Sequence, residues 1–486
     1  MDAETILRIK PSLTAYLHEF DCCMGRVTNL AHLRTYVSGQ LSDLDRKSVE
    51  PIADAAGVPP RTLQEFLSML KWDDQAARDQ VQRLVARRHA HPQSVGVIDE
   101  TSYHKQGDKT ACVQRQYCGS RGKLDNCVVS VHLGYVAGDF HTLLDGELFL
   151  PEKTWAPDRA RCRAAGIPDD VVYRSKCEIA LGQVERALGN GVRFSWLTFD
   201  EGYGGKPPFL RGLDGLGQNY VGEIPVSFIG WTRCPEVLYR GHSRDKGQGR
   251  PRKLPRLKVR NTPAAEVRDI LKHSPILRKV PWERFRVKEG TKGPMVWEAK
   301  RIPFWIKDEN GLPSRPHHLV IARNVMKPDE VKFFLSNAPE STPLEVLLLV
   351  AFSRWHVERL FEDSKTELGM DHFEVRKYPA VVRHLVLTCI SHLFLAEFCL
   401  AHRGKKSRSD GMPGTHRHAI ADSHMDPWGA LLAKANGGHC CATGDNAGAE
   451  CGLERVPSET NFAGPAQDWH SIDNHTLLPM AEVLAL

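Results

Sequence analysis

The chain has 486 residues, of which 41% are hydrophobic and 26% charged, and its formal net charge is +6. This length suffices for about two or three domains with a large core, and the composition is that of a globular protein. The thirteen cysteines are odd in number and scattered, which fits reduced thiols better than a disulfide framework. No stretch approaches the ~20 apolar residues of a membrane span, and residues 1–4 lack the basic start of a signal peptide, so we expect a cytoplasmic protein without membrane contact.

Residues 1–90 are predicted to be helical. They contain a helix, a tight turn at Gly57–Pro60 and a second helix. This pattern is typical of a helix-turn-helix, and the start of the second helix would present Arg61, Thr62 and Gln64 to DNA. Many helical hairpins have no role in DNA binding, so the sequence leaves both interpretations open.

Two short apolar segments further along the chain each end in an aspartate. Residues 94–98 lead into Asp99 and residues 192–199 lead into Asp200, and a polar, glycine-bearing segment follows each of them. The carboxyl ends of strands are the usual place for ligands in an open α/β sheet. Carboxylate oxygens suit hard divalent cations, and two such ions can hold the attacking and leaving oxygens of a phosphodiester. Asp99 and Asp200 are therefore candidate metal ligands.

The chain between the second aspartate and the next candidate carboxylate is too long to be a plain loop. Asp200 and Glu358 are 158 residues apart, and loops of that length without structure are rare in compact domains. The sequence predicts a β-rich insertion at residues 225–337. Its clearest strand patterns lie at 295–300, 317–323 and 332–335.

This insertion is also the most basic part of the chain. Between Trp231 and Arg301 there are 20 Lys or Arg and 7 Asp or Glu, an excess of 13 positive charges. Such an excess fits a polyanionic partner bound through its phosphates, and Arg250, Arg252 and Lys253 are the candidate contacts. A solvated loop explains the run around these three residues equally well.

A helix is predicted from Pro343, which fits its first turn, and the apolar residues 344–350 must be buried. At about 100° per residue, Arg354, Glu358 and Lys365 fall on one stripe of this helix. A carboxylate between two cations is a candidate for metal or phosphate chemistry. Taken alone, however, the helix is better explained by a structural ion-pair network, because buried charges need partners.

The chain ends in two contrasting segments. Residues 379–399 are predicted to form an apolar helix that can cover the sheet. Residues 401–486 are rich in Gly, His, Pro and Ala with little periodicity, which predicts a flexible tail. Adjacent cysteines have the wrong spacing for a zinc knuckle, so zinc binding is disfavoured at the cluster in this tail, which comprises His439, Cys440, Cys441 and Cys451.

The acidic residues carry a family resemblance when they are taken together. Asp99, Asp200 and Glu358, with Arg354 four residues before the glutamate and Lys365 seven after it, resemble the catalytic motif of the DDE transposases of bacterial insertion sequences. In the branch concerned, the third carboxylate lies in a Tyr-x2-Arg-x3-Glu-x6-Lys signature. The agreement in motif order, context and spacing makes the resemblance specific.

The resemblance covers about residues 41–400 and includes the segments 115–126 and 369–376. One departure is plain: Ala351 stands at the Tyr position of the signature, and Phe352 beside it lacks the hydroxyl. Any phosphate contact made by that tyrosine in the family is therefore absent from this position.

The resemblance implies an α/β fold with an RNase H-like catalytic core in residues 91–224 and 338–400. It further implies that the basic β-rich insertion at 225–337 contacts the transposon end, that residues 1–90 are a helical domain, and that 401–486 is an appendage. The predicted element order agrees, with three antiparallel strands at 94–98, 111–117 and 127–136, a helix, a strand ending in an aspartate and a later helix with the glutamate.

By the same resemblance, the protein is a metal-dependent endonuclease and strand transferase that cleaves the ends of an insertion sequence and joins them to target DNA. Two Mg²⁺ ions, or Mn²⁺ in their place, would be held by Asp99, Asp200 and Glu358, and phosphates by Arg354 and Lys365. The expected partner is double-stranded DNA, bound by a homodimer in a synaptic complex within the bacterial nucleoid. The alternatives are an RNase H-like nuclease without strand transfer and a non-catalytic DNA-binding protein derived from a transposase.

Overall fold

The computed structural model describes residues 3–239, 254–260, 262–290 and 293–402. The helices are α1 (Ala3–Leu17), α2 (Asp21–Met24), α3 (Val27–Gln40), α4 (Val49–Ala55), α5 (Pro60–Ser68), α6 (Asp74–Arg88), α7 (Arg159–Ala164), α8 (Lys176–Gly189), α9 (Glu201–Gly204), α10 (Pro207–Gly215), α11 (Val267–His273), α12 (Pro275–Lys279), α13 (Leu344–Ser353), α14 (His356–Thr366) and α15 (Tyr378–His402). The strands are β1 (Val95–His104), β2 (Gln114–Cys118), β3 (Lys123–Ala137), β4 (Phe140–Leu148), β5 (Trp196–Phe199), β6 (Tyr220–Glu223), β7 (Ile229–Gly230), β8 (Val237–Leu238), β9 (Arg256–Leu257), β10 (Ala265–Glu266), β11 (Glu283–Gly290), β12 (Gly293–Phe304), β13 (His317–Asn324) and β14 (Val331–Ser336).

A mixed sheet of ten strands runs through the described residues in the order β11-β12-β13-β14-β6-β5-β1-β3-β2, with β4 also paired to β3. Strand β5 is parallel to both β1 and β6, whereas β3 is antiparallel to β1 and to β4. Hairpin-connected antiparallel strands followed by parallel strands that are reached through a helix form the order predicted for an RNase H-like core. The α/β fold class predicted from the sequence is confirmed.

The third antiparallel strand of the core is not the one that the sequence predicts. The segment predicted at 111–117 is found as β2, which pairs only with the outer part of β3. The core is completed by β4, which follows β3 through the two-residue turn Gly138-Asp139. Gly138 has a φ of 57°, as such tight turns require. A Gly-Asp pair between apolar segments is a known hairpin signal, so the sequence did contain the information.

The strands predicted within residues 225–337 are present as β12, β13 and β14, and they continue the central sheet. Strand β14 pairs with β6 through Phe334 opposite Glu223 and Ser336 opposite Val221. Strand β11, which the sequence analysis does not predict, forms the far edge of the sheet. One hydrogen-bonded sheet therefore links this segment to the strands that end in the aspartates.

Helix α15 connects the N-terminal helices to the sheet. It packs on α3, α5, α6 and β4. Buried hydrogen bonds join Tyr36 Oη to His384 Nδ1 at 2.9 Å and Gln40 Nε2 to Thr388 Oγ1 at 3.0 Å. Among the described residues this helix is the one long and apolar enough to cross a membrane, but about two thirds of its apolar window is buried inside the protein. It is therefore a core helix, as predicted.

The proposed helix-turn-helix corresponds to α4 and α5, joined by a turn in which Gly57 has a φ of 66°. Arg61 and Gln64 are exposed at the start of α5, while Leu63 is buried. The helical arrangement is present, and a DNA-binding role for it stays a prediction. The tail beyond His402, including the cysteine and histidine cluster, lies outside the described residues.

A close approach between α9 and β6 fixes the chain just after Asp200. A Cβ atom at Gly204 would overlap the backbone carbonyl oxygen of Glu223 on β6. Only glycine allows the short helix to lie this near to the strand. The position of the residues after β5 therefore depends on Gly204.

We expect Gly204→Ala to lower the free energy of unfolding by about 1–3 kcal/mol, because the added methyl group forces α9 away from β6. Gly215→Ala is the matched control, since a Cβ there meets no atom within 4 Å; it should leave stability unchanged or slightly raised. Chemical denaturation of both variants checks this. Equal stability of the two variants would show that the contact does not constrain the backbone.

Candidate active site

Asp99 and Asp200 lie side by side in the middle of the sheet. Strands β1 and β5 are parallel, and their register ends with Ile98 opposite Phe199. The two aspartates are the next residues on each strand. Because parallel strands with the same register present corresponding side chains to the same face, the carboxylates are neighbours although they are 101 residues apart in the chain.

Each aspartate is held by backbone N–H groups. Asp200 is the N-cap of α9, and its Oδ1 accepts hydrogen bonds from the N–H groups of Gly202 at 2.9 Å and Tyr203 at 3.3 Å. Asp99 Oδ1 accepts a hydrogen bond from the N–H of Glu100 at 2.7 Å. These bonds orient the side chains and leave the second oxygen of each carboxylate for other partners.

The environment disfavours the negative charge on both carboxylates. Burial, followed by the charge of Asp200, raises the pKa of Asp99 to about 7. The pKa of Asp200 is also raised, by burial first and then by the charge of Glu100. Two neighbouring, half-buried carboxylates stabilise any cation that binds between them. Hard oxygen donors of this kind fit a divalent cation such as Mg²⁺.

Arg354 connects Asp99 to Glu358. Its Nη1 donates to Asp99 Oδ2 at 3.2 Å, and its Nη2 lies 3.7 Å from Glu358 Oε1. The guanidinium charge also lowers the pKa of Asp99 and of Asp200 relative to what burial alone would give. One arginine therefore lies between Asp99 and the third predicted carboxylate.

The single helix predicted through Arg354, Glu358 and Lys365 is wrong, because the chain breaks between α13 and α14 at Arg354 and Trp355. The N–H groups of Val357 and Glu358 bond to carbonyl groups only three residues back. Side chains cause part of this, since Ser353 Oγ donates to the carbonyl of Val350 and His356 Nδ1 donates to that of Ser353. Such local bonds compete with the helical ladder.

Glu358 itself is more exposed than the sequence suggests. Its side chain is 72% exposed, compared with 19% for Asp99. The sequence predicts that Trp355, Val357 and Phe361 surround Glu358 with apolar side chains. This is wrong, because Glu358 and Trp355 are both exposed. For Glu362, one turn further on, the sequence predicts an ion pair with Arg359 or Lys365, and the structure confirms the pair with Arg359 at 3.3 Å.

Lys365 lies in the last turn of α14, and among the described residues it forms no ion pair with Asp99, Asp200 or Glu358. Burial lowers its pKa, and the charges that act on it come from Asp371 and Cys118. Its own charge in turn lowers the pKa of His132 on β3. Lys365 is therefore located towards the β2–β3 end of the sheet. The remaining predicted contacts, Arg250, Arg252 and Lys253, lie outside the described residues.

The structure adds Glu100 to the site, which the sequence analysis does not propose. Residues 100–104 were expected to be a polar turn, but β1 continues to His104 because the long β3 pairs with it throughout. Glu100 Oε1 pairs with Lys176 Nζ at 2.5 Å, and its Oε2 accepts a hydrogen bond from Tyr203 Oη at 2.9 Å. An acidic residue directly after Asp99 was the available signal.

The donor set favours a divalent cation only in part. Among the residues that the structure describes, no group of three or more His, Cys, Asp or Glu side chains converges as metal ligands do. Asp99 and Asp200 converge, while Glu358 is kept at the far side of the Arg354 guanidinium. The aspartate pair therefore fits a cation, and a third carboxylate ligand requires Glu358 to move.

Comparisons with known proteins agree with this geometry. A family model described as "DDE superfamily endonuclease" matches residues 19–294, more than half of the chain. That match includes both aspartates and ends before Glu358. The chain is also 28% identical over 350 residues to the "Probable transposase for insertion sequence element IS701" of Microchaete diplosiphon, an alignment that covers 71% of this chain and 76% of the relative.

The raised pKa of Asp99 gives stability a defined pH dependence. A folded-state pKa of about 7, above the ordinary 3.8, means that the proton is bound more tightly in the folded protein. The contribution of the Asp99 carboxyl to the free energy of unfolding is complete below about pH 4 and is lost as the pH rises to about 7. Asn cannot ionise, so in excess chelator Asp99→Asn should gain stability relative to wild type across this window, reaching on the order of 2–4 kcal/mol above pH 7.

Thermal melts at pH 5, 6, 7 and 8 measure this difference. Glu362→Gln serves as the control, because it removes a carboxylate that is 60% exposed on the neighbouring helix. If the two variants differ from wild type by the same amount at every pH, the burial of the Asp99 charge does not govern stability.

Proposed function

The chain belongs to the DDE superfamily of endonucleases, and we propose that it is a DNA transposase that cleaves the ends of an insertion sequence and joins them to target DNA. The observation that carries this proposal is the pair of half-buried aspartates on neighbouring parallel strands, with Asp99 within β1, Asp200 directly after β5 and an arginine in contact with Asp99. The similarity to a probable insertion-sequence transposase over 71% of the chain supports it.

We propose Asp99, Asp200 and Glu358 as the catalytic carboxylates and as the residues that would hold two divalent ions. Mg²⁺, or Mn²⁺ in its place, is the expected metal because the donors are carboxylate oxygens. When bound, such ions stabilise the charge that develops on the attacking and leaving oxygens of the phosphodiester. The mutual repulsion of the aspartates supports this assignment, since a cation relieves it.

Arg354 is proposed to exchange its carboxylate partners for a DNA phosphate. A guanidinium binds phosphate in the same forked arrangement as it binds carboxylate. In the absence of DNA it pairs with Asp99 and Glu358. Binding of the scissile phosphate to Arg354 would release both carboxylates for the catalytic ions. DNA binding would thereby complete the site only when substrate is present.

The proposed substrate is double-stranded DNA at the element's end and then at the target, handled by a homodimer in a synaptic complex. Hydrolysis at the end frees a 3′-hydroxyl, and the same carboxylates can then direct this hydroxyl onto the target phosphodiester without any covalent enzyme intermediate. We propose Lys365 as a second phosphate contact. Its position towards β2 and β3 suits a phosphate further along the DNA than the one bound by Arg354.

Incubating the protein with duplexes that carry both ends of its own element tests the proposal. We expect Mg²⁺-dependent cleavage at the ends followed by joining to a target plasmid. Asp99→Ala, Asp200→Ala and Glu358→Gln should each lower cleavage more than roughly 100-fold with end binding retained, because even partners outside the metal's ligand shell cost 10–100-fold. Glu362→Gln, one helical turn away, should keep most of the activity.

Three outcomes would contradict this assignment. Cleavage that persists in excess chelator would exclude the metal-dependent reaction. Loss of activity in Glu362→Gln but not in Glu358→Gln would shift the third carboxylate by one turn. Cleavage without any joined product, at either end and with any target, would favour the RNase H-like nuclease over the transposase.

The basic segment is proposed to bind the DNA backbone through Arg250, Arg252 and Lys253. Each lost phosphate contact lowers the slope of log affinity against log salt by about 0.9. Changing all three to Gln should therefore reduce the slope for end DNA by about 2.7, measured by fluorescence anisotropy at several salt concentrations. An unchanged slope would assign the segment to a solvated loop. Replacing the exposed Lys10, Lys109 and Lys153 with Gln provides a charge-matched control.

A further inference from the structure

The hairpin formed by β2 and β3 presents an exposed apolar pair to solvent. Tyr117 on β2 lies directly opposite Leu124 on β3, and the two residues are 64% and 62% exposed. They belong to the segment 115–126 that the sequence analysis singles out, and the proposed catalytic mechanism does not use them. Paired exposed apolar side chains at a hairpin tip suggest a binding surface.

Positive charges lie on the same hairpin, with Arg115 on the face of the apolar pair and Arg121 and Lys123 at the tip. Arg115, Arg121 and Lys123 lie on the hairpin together with one acidic residue, Asp125. Arg115 and Lys123 are exposed. The N–H of Asn126 lowers the pKa of Asp125, and the charges of His104, Lys123 and Arg121 lower it further. An aromatic and an aliphatic side chain among cations match a nucleic acid, which offers phosphates to the cations and flat base or sugar surfaces to the apolar groups.

The opposite side of the hairpin is anchored to the sheet. Cys118 is fully buried, and its Sγ is contacted by Ser102 Oγ at 3.6 Å and Ser120 Oγ at 3.3 Å. Asn126 Nδ2 donates to the carbonyl of Lys105 at 3.0 Å. The exposed pair is therefore held at a fixed place relative to the rest of the sheet.

The distance between this apolar pair and the proposed active site can be measured along β3. Asp99 lies opposite His132, and Leu124 is eight residues before His132 on the same strand. Even-numbered residues of β3 point to one face, so the apolar pair and Asp99 share a face of the sheet. At about 3.4 Å per residue the separation is about 27 Å.

We infer that the β2–β3 hairpin binds the duplex at the transposon end, with Tyr117 and Leu124 against the sugars and base edges, Arg115 on a phosphate beside them and Lys123 at the tip on the next phosphate. Because β3 is buried from Cys127 to Val136, the duplex does not lie on the strand itself. A straight duplex advances about 3.4 Å per base pair, so a separation of about 27 Å corresponds to about eight base pairs between this contact and the cleaved phosphate. The hairpin thereby positions the end for cleavage at one phosphate. This inference rests on the proposed function and specifies where the end is held.

End binding by the full chain in Ca²⁺ buffer, which separates binding from cleavage, tests the hairpin. The double variant Tyr117→Ser with Leu124→Ser should bind the end duplex at least about fivefold more weakly with an unchanged salt slope, because it removes apolar contact. Arg115→Gln with Lys123→Gln should instead lower the salt slope by about 1.8. Tyr117→Trp should retain affinity, which separates loss of the ring from misfolding.

The control double variant, Val172→Ser with Met326→Ser, removes two apolar side chains that are 61% and 82% exposed elsewhere on the surface. Hydroxyl-radical footprinting of the wild-type complex should show protection centred about eight base pairs from the cleaved phosphate. Only the Tyr117 and Leu124 variant should lose this protection. The inference is overturned if the Tyr117 and Leu124 variant matches the control in affinity and footprint. It is also overturned if this variant binds an unrelated duplex more weakly than wild type does but binds the end duplex with wild-type affinity.

These results are distinct from a failure of the proposed function. If wild-type protein cleaves and joins its ends in Mg²⁺ while the hairpin variants bind and footprint like wild type, only the hairpin assignment fails. If wild-type protein neither binds nor cleaves the ends, the transposase proposal fails and the hairpin inference with it.

Discussion

The carboxylates of Asp99 and Asp200 carry like charges and lie next to each other in a half-buried position, and this constrains the residues around them. Asp99 within β1 and Asp200 directly after β5 occupy matching positions of adjacent parallel strands, so the sheet fixes their separation and neither can swing far without breaking its bonds to backbone N–H groups. Burial raises the pKa of both, with a further rise at Asp99 from the charge of Asp200 and at Asp200 from the charge of Glu100. The fold must therefore supply cations or hydrogen bonds beside the two carboxylates, and the guanidinium of Arg354 is one such cation.

The break between α13 and α14 determines how Arg354 reaches the pair. A continuous helix would place Arg354 and Glu358 on one stripe one turn apart. The break leaves the apolar residues of α13 buried, directs the guanidinium onto Asp99 and leaves Glu358 exposed beyond it. An exposed glutamate avoids adding a third buried negative charge before any compensating cation is bound. An exposed Glu358 therefore costs less free energy than three converged, half-buried carboxylates would.

Sequence reasoning captured the features that depend on local pattern. A buried apolar segment that ends in an acid predicted the location of Asp99 and Asp200, and the long apolar segment at 379–399 predicted the core helix α15. It missed features that arise from pairing or from side chains acting on the backbone. Strand β1 extends past Glu100 because β3 is long enough to pair with it, and the break at Arg354 comes from Ser353 and His356 bonding to nearby carbonyls. Neither feature changes hydrophobic periodicity, so that signal could not reveal them.

The continuity of the sheet has a consequence for DNA handling. Strand β11 lies six strands from β1, which at about 4.8 Å per strand is about 29 Å across the sheet, while the β2–β3 hairpin extends about 27 Å along it. Both distances are set by backbone hydrogen bonds and not by hinges or linkers. Surfaces at the two extremes of one sheet therefore keep constant distances from the aspartate pair. If DNA contacts these extremes, selection of the cleaved phosphate follows from strand length and strand count, and the carboxylates need no base recognition of their own.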